Sequence, residues 1–354
     1  MPITSELITS CLNAALVTDS VQSSISNAFK IDLHDKYFDF IPTMPSPFVL
    51  NSDLNRRIYQ IVSGACFPYV TFLPTKGPYF VKTDSGRVAT ARALRFEFIP
   101  GQVERLYFER LSDAHPQKAC IPLMKGLSYD TESNNGMICV SGISGGGKTV
   151  FCLYLLQNYI QLGKVDIVDP KMDQKLNYFA KSRKIRYFAP DSEQNDSQFI
   201  EDISSLVKEK IDLIHKRQKE LIDNPLADFQ PNILFIDEML ALTSTISKKD
   251  KDLFLGLLTK VCVMGRATKV GVIISGQEMS ADVISTASRD QMTLKGLLTP
   301  NVNRESCRFL FKELDAPSSI VIPNDGIAGR GIIQVIHGNN SVLPFLAPKI
   351  KNLG

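Results

Sequence analysis

One octapeptide constrains this chain more than any other feature: Gly142-Ile143-Ser144-Gly145-Gly146-Gly147-Lys148-Thr149 joins an uncharged run at 137–141 to an apolar stretch at 148–161. Four glycines within six residues suit neither a strand nor a helix, so they read as a tight turn between the two. The string fits a phosphate-binding loop. Its glycines let backbone N–H groups turn inward around a polyphosphate, and the following helix presents its positive N-terminal end. In that geometry Lys148 reaches the β and γ phosphates of ATP, and the Thr149 hydroxyl ligates Mg2+. The plainer reading is a glycine-rich strand-to-helix turn without a ligand; the strand before it and the helix after it favour the phosphate loop.

Beyond about residue 116, uncharged or nearly uncharged runs at 137–141, 165–168, 233–236 and 270–275 alternate with longer amphipathic stretches, of which 148–161 and 199–222 are the clearest helices. That alternation predicts an α/β fold with a mostly parallel sheet covered on both faces. Residues 1–115 are of mixed texture, with a helix expected over 5–27 and short strands near 72, 79–81, 87–91 and 94–99. We therefore expect a smaller mixed α+β N-terminal domain over 1–115 and an ATPase domain over 116–354.

The run 233–236 ends in Asp237-Glu238. Strands often end in solvated acids, but after a phosphate loop this pair suits a strand whose Asp237 holds Mg2+ through water and whose Glu238 orients and deprotonates the attacking water. The run 270–275 leads to Gly276-Gln277, where the Gln277 amide is a candidate γ-phosphate sensor or a strand-end cap.

Composition excludes more than it names. A formal net charge of +3 is no global signature of a nucleic-acid binder, so any such surface must be local. Lys248, Lys249 and Lys251 read as a phosphate-touching loop or as a solvated turn, as do Lys181, Arg183, Lys184 and Arg186. The 7 cysteines show no paired spacing for a zinc site and read as reduced apolar residues. No signal peptide or spanning helix is expected, and the chain reads as soluble and cytoplasmic.

Four stretches together resemble the FtsK/SpoIIIE family of DNA-translocating ATPases, within the HerA/FtsK superfamily. They are residues 121–126 before the loop, Val168-Asp169-Pro170-Lys171, Gly265-Arg266-Ala267 ahead of Gln277, and Gly329-Arg330-Gly331. The resemblance implies a RecA-like P-loop NTPase motor that forms hexameric rings, binds ATP between subunits and draws duplex DNA through a central channel. Arg266 then acts on a neighbouring subunit's nucleotide or pairs with an acid of its own subunit. Where the family commonly has Ser-Arg this chain reads Ser318-Ser319, leaving Arg304, Arg308 and Arg330 as substitutes for an arginine supplied in trans. Asp169 and Lys171 also read as strand-end residues around a proline turn. The chain stops at Gly354, soon after Gly331, so a winged-helix loading module is not expected.

The expected function is a DNA translocase of a plasmid or conjugative element, recruited by a membrane-bound partner. A protein-secretion ATPase and a nucleotide-gated assembly module are the alternatives. Lys148→Ala is expected to remove most ATP binding and turnover, measured together; survival of both would show that the octapeptide holds no phosphate.

Overall fold

Uncharged strands need cover on both faces, and the computed structural model shows how this chain supplies it. It describes residues 3–16, 28–43, 52–72, 79–86, 90–314, 317–336 and 342–353. Packing divides the chain into two units, one of 1–103, 301–323 and 341–344, the other of 104–300, 324–340 and 345–354.

In the first unit α1 (Ser5–Leu16) and α2 (Ser52–Cys66) accompany strands β1 (Phe29–Leu33), β2 (Tyr37–Pro42), β3 (Val70–Phe72), β4 (Tyr79–Lys82) and β5 (Arg92–Pro100). The strands form an antiparallel sheet in the order β1-β2-β5-β3, with β4 also on β5. Ile8 and Leu12 of α1, one helical turn apart, share a core with Ile58 and Val62 of α2 and with Phe38 and Phe40. The helix expected over 5–27 ends at Leu16 among the described residues; 17–27 lie outside them, as do 87–89 of the strand expected over 87–91.

The second unit begins with β6 (Tyr107–Arg110), β7 (Cys120–Met124), β8 (Leu127–Asp130) and α3 (Thr131–Asn134). Next come β9 (Ile138–Gly142), α4 (Lys148–Leu162), β10 (Lys164–Val168), α5 (Gln174–Ser182), β11 (Arg186–Phe188), α6 (Asp196–Asp223) and β12 (Asn232–Ile236). They are followed by α7 (Met239–Thr243), α8 (Lys248–Met264), β13 (Val270–Gly276), α9 (Thr286–Asp290), β14 (Leu294–Leu298), α10 (Arg304–Cys307), β15 (Arg330–Val335), β16 (Val342–Leu346) and β17 (Lys349–Asn352), of which α10 and residues 342–344 of β16 belong to the first unit.

The large sheet runs β11-β10-β12-β13-β9-β14-β15-β16. From β11 to β14 every pairing is parallel, and β15 returns antiparallel on β14. Parallel neighbours require crossovers, and α4, α6 and α8 supply them. Strands β9, β12 and β13 are buried along their whole length, which explains their lack of charge. The strand carrying the octapeptide thus lies centrally, and the C-terminal ends of β9, β10, β12, β13 and β14 share one edge. Among the described residues no helix is long and apolar enough to cross a membrane.

A single domain boundary at 115/116 does not describe this packing. Strand β6 pairs in parallel with β17, Tyr107 opposite Lys349, which ties 104–115 to the chain's end. A pairing across that sequence distance leaves no short-range signal to read.

One charge interrupts the buried strands. Asp166 of β10 accepts a hydrogen bond from Lys210 of α6, whose Nζ also donates to Asn232 Oδ1 at 2.5 Å, and Arg186 Nε lies 3.5 Å from Asp166. Burial pushes the Lys210 pKa below its ordinary value against the pull of Asp166. Asp166→Asn leaves that ammonium facing only neutral acceptors inside the protein, and should lower stability by about 3 kcal/mol in urea unfolding.

Candidate functional site

The octapeptide folds as a turn whose backbone enters the left-handed region, which favours glycine, at Gly145 and Gly147. Gly145 has φ +72° and Gly147, the N-cap of α4, has φ +94°. A β-carbon on Gly147 would stand 2.8 Å from the Gly329 nitrogen, and one on Gly146 would stand 2.7 Å from the Leu298 carbonyl oxygen. The loop is therefore wedged between the end of β14 and the residue preceding β15, where the Gly329 N–H donates to the Gly146 carbonyl at 3.0 Å. The first-turn N–H groups of α4, on Lys148, Thr149 and Val150, have no acceptor within their helix. Lys148 Nζ donates to the carbonyls of Gly142 at 2.8 Å and Ile143 at 3.1 Å, which lays the ammonium across the loop. Burial lowers the Lys148 pKa, while Glu238 and Asp237 oppose that shift. Glycine turns, free first-turn donors and a half-buried cation are the elements that cradle a polyphosphate, so the residues present fit one.

At the end of β12 the Asp237 N–H donates to the Val168 carbonyl at 2.9 Å, and its carboxylate accepts from Ser275 Oγ at 2.5 Å. Burial raises the Asp237 pKa despite the Ser275 bond. Glu238 follows with φ +43°, a left-handed conformation that costs a residue with a β-carbon on the order of 1 kcal/mol or more. That turn aims its carboxylate inward: Oε1 accepts from the Gln277 N–H at 3.2 Å, and Oε2 lies 3.2 Å from Lys171 Nζ. Thr149 follows Lys148 at the start of α4 and Asp237 comes directly after β12, a hydroxyl and a carboxylate of the kinds Mg2+ accepts.

The turn after β10 explains the Asp-Pro-Lys signature. Asp169 is fully buried; its Oδ1 accepts from the Lys171 N–H at 3.1 Å and its Oδ2 from the Asp173 N–H at 2.7 Å and Tyr187 Oη at 2.8 Å. It closes the turn that delivers Lys171 to Glu238. The side chain of Gln277 is exposed, and its backbone is tied into the site: the N–H donates to Glu238 and the carbonyl accepts from Ser141 Oγ at 2.8 Å. Ser141 and Ser275 escaped the sequence reading, although hydroxyls at the C-terminal ends of otherwise apolar strands were a signal that could have found them.

Other expected groups fall elsewhere. Arg266 is exposed and precedes β13, so it sits at the sheet edge opposite the octapeptide, beside Glu132, Ser133 and Lys269. Among the described residues it makes no ion pair. Arg304 and Arg308 are exposed in the first unit, and Arg330 opens β15 and donates to Asn324 Oδ1. Lys248, Lys249 and Lys251 form the first turn of α8 rather than a loop, and Lys251 lies 3.6 Å from Asp282. Arg183 donates to Gln157 Oε1 at 2.8 Å, and Arg186 to Glu209 at 3.0 Å, so these two are structural contacts.

No family model matches the chain. The Ftsk domain-containing protein YdcQ of Bacillus subtilis (strain 168) is 24% identical over 251 residues, 67% of this chain and 48% of that protein. The chain thus spans about half the length of the curated relative it matches. The structure of the pCW3 conjugation coupling protein TcpA, monomer form with ATPgS, shares its fold at a TM-score of 0.51 and 11% identity, over 97% of this chain and 94% of that one. EssC (ATPases 2 and 3) from Geobacillus thermodenitrificans overlaps at a TM-score of 0.47 and 15% identity, over 70% of this chain and 48% of its own.

A carboxyl whose pKa is raised on folding adds stability only while protonated; above its folded pKa the burial of the charge opposes folding. Asp237→Asn keeps the acceptor for Ser275 and removes that charge. It should raise the unfolding temperature at pH 8, with the gain vanishing as the pH falls towards the ordinary carboxylate value of 3.8. Equal melting of both proteins at pH 8 would show that the Asp237 charge carries no folding penalty.

Proposed function

We propose that this FtsK-like P-loop ATPase hydrolyses ATP to move duplex DNA, in the manner of a transfer or coupling motor of a plasmid or conjugative element. The observation that carries the ATPase part is the Glu238 carboxylate, held by the Gln277 N–H and Lys171 at the same sheet edge as Lys148 and the phosphate loop. The DNA part is supported by the FtsK domain named in the Bacillus relative and by the fold shared with a conjugation coupling protein.

The chain's own groups divide the work. Lys148 turns from the loop carbonyls to the β and γ phosphates, and the first-turn N–H groups of α4 take the remaining phosphate oxygens. Glu238 orients a water against the γ-phosphate and accepts its proton; Lys171, already on that carboxylate, moderates its charge between cycles. Thr149 and Asp237 are the groups that would hold Mg2+, which when bound would supply positive charge to the phosphates. Gln277 connects the state of Glu238 to β13 through its backbone.

A closed ring of six subunits would join unlike faces head to tail. Arg266 suits the trans contact in such a ring, because it lies on the edge away from its own phosphate loop and is exposed. Duplex DNA would pass through the centre, and a membrane-bound partner would recruit the cytoplasmic motor.

The test is ATP turnover with and without long duplex DNA at about 50 mM and 200 mM salt, since phosphate contacts weaken steeply over that range. DNA should stimulate turnover at the lower salt, and light scattering should show a ring with MgATP and DNA. Glu238→Gln should still bind MgATP while turning over about a hundredfold more slowly, with or without DNA. Turnover indifferent to DNA at both salts would sink the DNA reading and favour a protein-moving or nucleotide-gated role.

A further inference from the structure

The wall of the phosphate loop is held in place by a residue that no sequence motif singles out. Arg105 lies just before β6, and its side chain is only 1% exposed. A guanidinium has five N–H donors in a fixed plane. Here they meet five acceptors. Nε donates to Asp325 Oδ2 at 2.8 Å, and Nη2 donates to Asp325 Oδ1 at 3.3 Å and to the Ile327 carbonyl at 3.5 Å. Nη1 donates to the Ala328 carbonyl at 3.1 Å and to the Ala347 carbonyl.

Those acceptors lead directly to the loop. The residue after Ala328 is Gly329, whose N–H donates to the Gly146 carbonyl at 3.0 Å and whose carbonyl accepts from the Ala347 N–H at 2.7 Å. Gly329 has φ +87°, and a β-carbon there would stand 3.2 Å from Arg105 Nη1 and 3.1 Å from the Ala347 β-carbon. One buried cation therefore gathers 325–328 and Ala347, and through Gly329 the gathered segment bears on Gly146 and Gly147. Burial alone would raise the Asp325 pKa, yet the bonds from Arg105 and from the Ile327 N–H hold it below the ordinary value.

We propose that Arg105 is a positioning residue of the nucleotide site, setting the spacing between Gly329 and the phosphate loop and so holding the loop open for a polyphosphate. This rests on the phosphate-site reading above. Arginine is required because the job needs a planar fork on a carboxylate together with donors to three carbonyls at fixed angles; a lysine has three donors at one point. Arg105 touches no reacting atom, so its loss should act on binding. The chemistry of bound ATP should be largely spared.

The test uses the full chain with Arg105→Lys, Asp325→Asn and, as a control on the exposed face of β6, Glu109→Gln. Without nucleotide, hydrogen exchange of a peptide covering 325–331 should quicken in the first two and stay unchanged in the control. With a fluorescent ATP analogue the first two should show Kd raised about tenfold, with kcat at saturation kept within about threefold, as for other residues that orient a binding group. A folded Arg105→Lys protein with parental Kd and parental exchange at 325–331 overturns the proposal. So does a parallel loss of affinity, kcat and melting temperature with no selective change at 325–331, which is what a merely structural role predicts. If Arg105→Lys does not fold, Asp325→Asn decides by the same readings. A parent chain that binds no analogue overturns the phosphate-site reading and the positioning role with it, whatever the exchange shows.

Discussion

Parallel pairing of β10, β12, β13, β9 and β14 is the constraint on which the rest depends. Because these strands run the same way, every crossover must return over a face of the sheet, and every C-terminal end must emerge at one edge. The octapeptide after β9, the Asp169 turn after β10, Asp237 and Glu238 after β12, and Gln277 after β13 are far apart in the chain and meet only for this reason. Burial on both faces keeps the strands stiff, so short residues such as Ser141 and Ser275 can hold neighbouring strand ends in register by single hydrogen bonds.

The groups at this edge work against the stability of the fold that presents them. Burial lowers the Lys148 pKa and raises that of Asp237, so the protein carries both in an environment that disfavours their charges. Glu238 adds a left-handed backbone, a conformation that glycine would adopt without cost. Such costs cluster where charge and direction are needed for chemistry. The Asp166–Lys210 pair of the same unit carries the same burial cost on its ammonium, there answered by Asp166 and Asn232.

The phosphate loop is a shared structure. Its glycines are usually discussed for what they offer a ligand, but Gly146 and Gly147 are also required by what stands behind them, the Leu298 carbonyl and the backbone of Gly329. The Gly329-Arg330-Gly331 stretch near the chain's end is therefore part of the loop's wall, and Gly331 passes so close to the Leu297 carbonyl that no side chain fits. Arg105, contributed from well before the loop, completes that wall.

The sequence by itself determined the loop, the crossover pattern and the strand that ends in Asp237 and Glu238, because each is written in local chemistry: glycine at turns, uncharged runs for strands buried on both faces, amphipathic stretches for helices. The strand expected at 270–275 and the helix at 199–222 match β13 and α6 closely for that reason. Only the tertiary structure decided which side chains meet. Lys171 reaching Glu238, the Gln277 N–H donating to Glu238, Arg266 lying at the far edge, β6 pairing with β17 and Arg105 gripping Asp325 all depend on distant segments coming together. Their geometry follows from strand order and from the tight φ values of a few residues, and neither quantity has a short-range imprint in the amino-acid string.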